Sequence, residues 1–222
     1  MPLPMVHLSV ARNIVEKGFK VVDLSQFYLG SISPDAIHMR SSSDKFAKRK
    51  THLNPIDQRR LNVNEIDYVK SLSGFIKENQ SKTDVDFLWG YCFHLLTDVY
   101  WIKRIYHKFA ENYKNDPSPV LDMDGAYYND TEILDQMIFK ESSWKVGVWQ
   151  HLQAAKTSDF LDLLTAQEIN LWKERTLKWF VGGESKLNNP IRYFTKVDIE
   201  DFILACSESI RNDISSIICT QR

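Results

Sequence analysis

Residues Asp84 to Tyr113, DVDFLWGYCFHLLTDVYWIKRIYHKFAENY, decide the fold. The stretch has no proline and one glycine, and apolar or aromatic residues dominate it as far as Phe109. That pattern predicts one long helix buried on most sides. At about 100° per residue, Phe87, Gly90, Tyr91, His94, Asp98, Trp101 and Ile105 share one face, and that face is the oily one. Within it His94 and Asp98 stand one turn apart, where their side chains can converge. A carboxylate among aromatics is costly unless a cation or a donor compensates it. Two compensations are open: a structural His–Asp hydrogen bond, or a metal ion held by imidazole and carboxylate. Gly90, one turn earlier, is expected to leave open volume beside the pair.

The rest of the composition agrees with a helical protein. The chain has 222 residues, 43% hydrophobic and 12% aromatic, enough to bury one sizeable core. Eight glycines and seven prolines are few for an all-β chain of this length, which needs many tight turns. A net charge of -1 supplies no field toward nucleic acid or an anionic membrane. Cys92, Cys206 and Cys219 lie in helix-like apolar segments and read as reduced core thiols of a cytoplasmic protein. No signal peptide and no run long enough to span a bilayer is visible.

Along the chain, Pro4 suits a helix first turn, Met5 to Lys17 reads as that helix, and Gly18 as its stop. Asn62 to Asn79, Asp130 to Lys140, Thr165 to Val181 and Thr195 to Cys219 carry further helical patterns. Gly30, Ser31, Ser33 and Pro34 break regular structure, after which Asp35 is either a capping side chain or a functional group. Ser41 to Arg60, rich in Lys and Arg, reads as a solvated loop or a phosphate-facing patch, with His52 inside it. Leu121 to Asn129 is expected to be irregular, and Ser142 to Ala155 is ambiguous. Asp122-x-Asp124-Gly125 is not a calcium loop, because its glycine comes two positions early and the later ligands are missing. With short connections and no internal repeat, residues 1–222 form one all-α domain, a multi-helix bundle around the central helix.

Five groups then stand out together: His7 in the first helix, Asp35 after the break, His52 in the polar stretch, and His94 and Asp98. Three imidazoles and two carboxylates suit zinc, and also manganese, iron or nickel. Each group alone has a structural explanation.

Their order resembles that of the zinc-dependent phospholipase C family, which is related to the single-strand-specific nucleases. The resemblance rests on PMVHL (His7), GSISPDAIH (Asp35), KTHL (His52) and HLLTD (His94, Asp98), and covers about the first hundred residues. It looks closest to a branch of small bacterial proteins that share PMVHL and SPDAIHMR. What it implies is an all-helical fold and metal-dependent hydrolysis of a phosphoester. The positions matching Asp35, His52, His94 and Asp98 would surround one metal, and the one matching His7 an adjoining metal that shares Asp98. Asp35 would serve as ligand or general base.

The pattern departs from the family's in two respects, the first being that members use a freed N-terminal residue as a metal ligand, whereas His7 here closely follows an unprocessed start and no such ligand is expected. Family members also finish a further metal position with a distal H-x3-E, and here that spacing occurs at His107 to Glu111. Thirteen steps along one helix put His107 about 220° around the axis from His94, pointing away. One ion, at most two, is therefore expected. Asp130, Glu132 and Asp135 are expected to be solvated acids at a helix start. Arg40 and His38 are candidate substrate-phosphate groups, Trp101 is a candidate pocket wall, and His151 has no role. The expected partner is a small phosphoester. The competing possibility is a non-catalytic helical metal-binding or scaffold protein. A helical phosphohydrolase of the HD type would need an adjacent His-Asp pair, which the chain lacks.

Overall fold

The structure is a computed structural model that describes residues 2–42, 45–53, 64–180 and 190–219, with backbone alone at Lys45 and 215–219. Cys219 Sγ, Arg59, Arg60 and most of the GGESKLNNP segment therefore lie outside the described residues. Among the described residues there are ten α-helices and no strand, only an isolated bridge between Phe160 and Leu164. They are α1 (Pro4–Glu16), α2 (Leu24–Gly30), α3 (Lys45–Thr51), α4 (Glu65–Asn79), α5 (Val85–Trp101), α6 (His107–Asn115), α7 (Met123–Glu141), α8 (Lys145–Ala154), α9 (Ala166–Lys178) and α10 (Lys196–Cys219). A 3-10 segment, Ser33–Met39, follows α2. A π-helical turn, Ile102–Tyr106, joins α5 to α6, so the central stretch is continuous as expected. No described helix is long and apolar enough to cross a membrane.

The buried apolar side chains form one continuous core with α5 at its centre. Asp84 caps α5 by accepting from the Phe87 amide, and from Phe87 onward nearly every α5 residue is buried. Its most extensive neighbour is α2. The two helices meet at glycines. A Cβ on Gly90 would lie 2.1 Å from the Phe27 carbonyl oxygen, and one on Gly30 would lie 2.2 Å from that of Phe87. Gly90 therefore leaves no open volume; the α2 backbone fills the space, because two helices approach this closely only where side chains are absent.

Other elements differ from the sequence-based expectation for local reasons. The helix expected to begin at Asp130 begins at Met123, because Asp122 caps it by accepting from the Gly125 amide. Asp130 and Asp135 thus fall mid-helix, and both are buried rather than solvated. Asp135 accepts from the Met5 amide at 2.9 Å, completing the start of α1, and Asp130 accepts from the Arg192 and Tyr193 amides ahead of α10. The basic stretch contains α3, and the ambiguous Ser142 to Ala155 contains α8. In α4 the buried face is Tyr68, Leu72 and Ile76, while Ile66 is exposed.

Candidate metal centre

Four separate elements aim polar side chains into one buried region. α1 brings His7, the 3-10 segment brings Asp35, the residue after α3 is His52, and α5 brings His94 and Asp98. His7, His52, His94 and Asp98 are 0 to 3% exposed, and Asp35 is 9% exposed. The supporting contacts are specific. His94 Nδ1 donates to the Ser31 carbonyl at 2.9 Å, which the Gly90 contact with α2 makes possible. His52 Nδ1 donates to the Lys48 carbonyl at 3.0 Å. A carbonyl only accepts, so in both rings the proton sits on Nδ1 and Nε2 keeps its lone pair. The end of α3 is held by two tyrosines: Tyr68 donates to the His52 carbonyl at 2.8 Å and Tyr91 to that of Thr51.

The Nε2 atoms and carboxylate oxygens then face one another without bonding. His94 Nε2 is 3.7 Å from Asp98 Oδ2 and 3.9 Å from Asp35 Oδ2. His52 Nε2 is 3.5 Å from Asp35 Oδ1 and 3.6 Å from Asp98 Oδ2. His7 Nε2 is 3.6 Å from Asp98 Oδ1, and its ring stacks on His94 with centroids 3.7 Å apart. The His94–Asp98 distance is too long for the structural hydrogen bond that was the simpler explanation of this pair. His7 Nδ1 and Nε2, Asp35 Oδ1, His52 Nε2, His94 Nε2 and both Asp98 oxygens are buried without a hydrogen-bond partner among the described residues. Leaving so many polar atoms unsatisfied is expensive. The separations match donors spread around a shared ion, which at bonds of about 2.0–2.1 Å stand roughly 3.3–3.4 Å apart in a tetrahedron. Three nitrogens and two carboxylates fit a divalent transition metal in number and in charge. Asp98 turns Oδ2 toward His52 and His94 and Oδ1 toward His7, and the converging donors include two triads that share His94: His7–His94–Asp98 and Asp35–His52–His94.

Electrostatics prepares the groups for such a role. Burial first, then the neighbouring imidazoles, lowers the pKa of His7; burial likewise dominates the lowered values of His52 and His94, so all three favour the neutral, metal-ligating form. Burial raises Asp98 to about 6. Burial acts upward on Asp35 as well, but the Lys48 ammonium and the imidazoles of His52 and His94 outweigh it and hold that carboxyl well below its usual range.

Asp35 also borders a cavity of about 650 Å³. His38 and Lys48 stand at its rim, with His38 Nε2 3.6 Å and Lys48 Nζ 3.7 Å from Asp35 Oδ1, and with each other at 3.1 Å. Arg40 is not available there: Nε and Nη2 bind Glu168 at 2.6 and 3.0 Å, and Nη2 also reaches the Leu163 carbonyl. This pairing locks α9 to the 3-10 segment and takes up the fork of donors expected to bind phosphate. Trp101 is buried core, donating to the Tyr127 hydroxyl at 2.7 Å rather than walling the cavity itself. His107 is exposed on the outer side of α6, as its angular position required. Sequence reasoning missed Lys48 and the cavity side chains of α9; for Lys48 a signal existed, its i, i+4 spacing to His52 once the basic stretch is helical. The chain matches no family model, no curated protein and no solved structure.

Proposed function

We propose that this chain is a metal-dependent hydrolase of a phosphoester, working in a reducing, cytoplasmic setting in which its buried Cys92 and Cys206 stay thiols. One observation carries the proposal: buried, partnerless imidazole nitrogens and carboxylate oxygens converge beneath a cavity whose rim is cationic. His52, His94, Asp98 and Asp35 would hold a divalent ion, zinc or else manganese, iron or nickel, and His7 with Asp98 Oδ1 would complete an adjoining position. Such an ion, when bound, supplies Lewis acidity that acidifies water and polarises a phosphoryl group. Lys48 keeps Asp35 ionised at the cavity floor, where its carboxylate can accept a proton from an attacking water. Lys48 and His38 stand where phosphoryl oxygens would arrive, and Lys48 would offset their charge. The order of PMVHL, SPDAIH, KTHL and HLLTD, which resembles the zinc-dependent phospholipase C family, supports the same assignment.

Metal analysis of protein purified without added ions tests it, together with a screen of chromogenic phosphoesters. About one equivalent of transition metal, two at most, is expected in the parent chain and is lost in His94→Ala and Asp98→Ala, with turnover lost in step. Unchanged metal content in both variants overturns the proposal. The near-complete burial of His7, His52, His94 and Asp98 favours a second reading, a purely structural ion. Tight metal retention with no turnover of any phosphoester would select that alternative.

A further inference from the structure

The two halves of the chain contribute about equally to the lining of the cavity. α9 packs on the 3-10 segment that carries Asp35, and its residues Trp172, Arg175, Thr176 and Trp179 line the cavity. The Arg175 guanidinium lies over two indole rings, 5.3 Å from the centroid of Trp172 and 5.1 Å from that of Trp179. Cation–π contacts to two rings restrict where the guanidinium can lie. It forms no ion pair among the described residues, unlike Arg40, whose charge Glu168 neutralises. On the same wall, His38 faces Trp172 with ring centroids 6.0 Å apart, and Lys48 binds His38. Arg49 also borders the cavity. Trp172 Nε1 and Thr176 Oγ1 are buried there with no hydrogen-bond partner among the described residues. One wall therefore gathers cations and unspent polar groups beside the candidate metal centre.

The opposite composition marks the α7 wall, where Tyr127 and Tyr128 stand with Asp124 and Glu132. The aromatic faces of Tyr106, Tyr127, Tyr128, Trp172 and Trp179 suit a ring or other apolar group. A volume of about 650 Å³ is that of a small-molecule pocket, larger than a bare phosphate requires.

We propose that Arg175, held over the rings of Trp172 and Trp179, is the specificity-determining anion anchor of this cavity. With Lys48 it holds the phosphoryl group of a small phosphoester whose organic part is apolar and aromatic. The proposal deepens the hydrolase reading and rests on it for the reaction, but not for binding. Arg175 is exposed and its replacement leaves the core intact.

Calorimetric titration of phenyl phosphate and of inorganic phosphate, into metal-loaded and metal-stripped protein, tests it. Phenyl phosphate should bind about tenfold more tightly than inorganic phosphate. Arg175→Gln should weaken both about tenfold while metal content stays unchanged. Arg175→Lys should recover only part of the loss, and Lys178→Gln, on the same helix but outside the cavity, should be silent. In turnover of 4-nitrophenyl phosphate, Arg175→Gln should raise KM about tenfold and leave kcat within twofold. Undiminished phosphate binding by Arg175→Gln overturns the anchor, whatever the metal content. Arg175-dependent binding by a chain that holds no metal upholds the anchor and removes the hydrolase reading instead.

Discussion

A Cβ at position 90 would lie 2.1 Å from the Phe27 carbonyl oxygen and 2.8 Å from the Ser31 amide nitrogen, both backbone atoms that cannot swing aside. Gly90→Ala must therefore push α2 off α5. It is expected to lower the unfolding free energy by about 3 kcal/mol or more, the upper end of what overpacked cores show, read as a lower urea midpoint at unchanged m. The displaced Ser31 carbonyl would also release His94 Nδ1, so metal affinity should fall with stability. Gly74→Ala is the control: nothing lies within 4 Å of the added Cβ in α4, and the helix should gain about 0.5–1 kcal/mol. A Gly90→Ala chain as stable as the parent would refute the tight α2–α5 contact. The same residue shows what the sequence conveys and what it hides. Periodicity put His94 and Asp98 on one buried face, because helical spacing is a local property. It could not show that the gap left by Gly90 is filled by another helix, because that neighbour is remote in sequence. His7, Asp35 and His52 were legible only through the order of short motifs, each having its own structural explanation.

Elements are held together by polar contacts that a residue pattern does not announce. Glu168 accepts from the Thr165 amide within the capping box of α9 and also binds Arg40 through both oxygens, so one carboxylate joins α9 to the 3-10 segment. Arg40→Gln should destabilise the chain by about 1 kcal/mol, a value discounted for the partial exposure of the pair. Because Arg40 is spent on Glu168, KM for a phosphoester should stay within twofold of the parent, whereas a direct phosphate ligand would raise it about tenfold. Thermal melts and steady-state kinetics on the one variant separate the two roles. The elements that escaped prediction failed for similar reasons. α3 presents a run of Lys and Arg with Phe46 exposed, so it has almost no apolar stripe to find. The first turns of α7 contain Asp124 and Gly125, which resemble loop residues, yet a single Asp122 cap suffices to start the helix there. The central helix was legible throughout because its apolar residues exceed anything a loop could carry.

At the scale of the whole molecule, burying three imidazoles and two carboxylates together ties stability to both protons and metal. The lowered pKa values of His7, His52 and His94 mean that, in metal-free protein, the unfolded chain takes up protons that the folded chain resists. Their contribution is complete above the unfolded value of about 6.5 and declines as pH falls below it. The depressed Asp35 acts in the same sense at lower pH, losing its contribution as pH drops through its folded value. Asp98 acts oppositely: raised to about 6, it holds a proton in the folded state that the unfolded chain has released, and that stabilisation disappears as pH rises through about 6. With His38, also lowered by burial, four histidines act against the raised carboxyls of Asp98, Asp135 and Asp213 between pH 7 and 5, so the melting temperature of metal-free protein should fall across that window. A bound divalent ion requires neutral imidazoles and ionised carboxylates, so it should raise the melting temperature most at pH 7 to 8 and progressively less toward pH 5. Calorimetric scans of stripped and zinc-loaded protein at unit pH intervals measure both effects. A zinc-induced increment that stays constant from pH 8 to pH 5 would mean that the ion sits elsewhere, on groups that do not titrate in this range. An increment that shrinks with acid, and that His94→Ala abolishes, would place it among the five buried side chains.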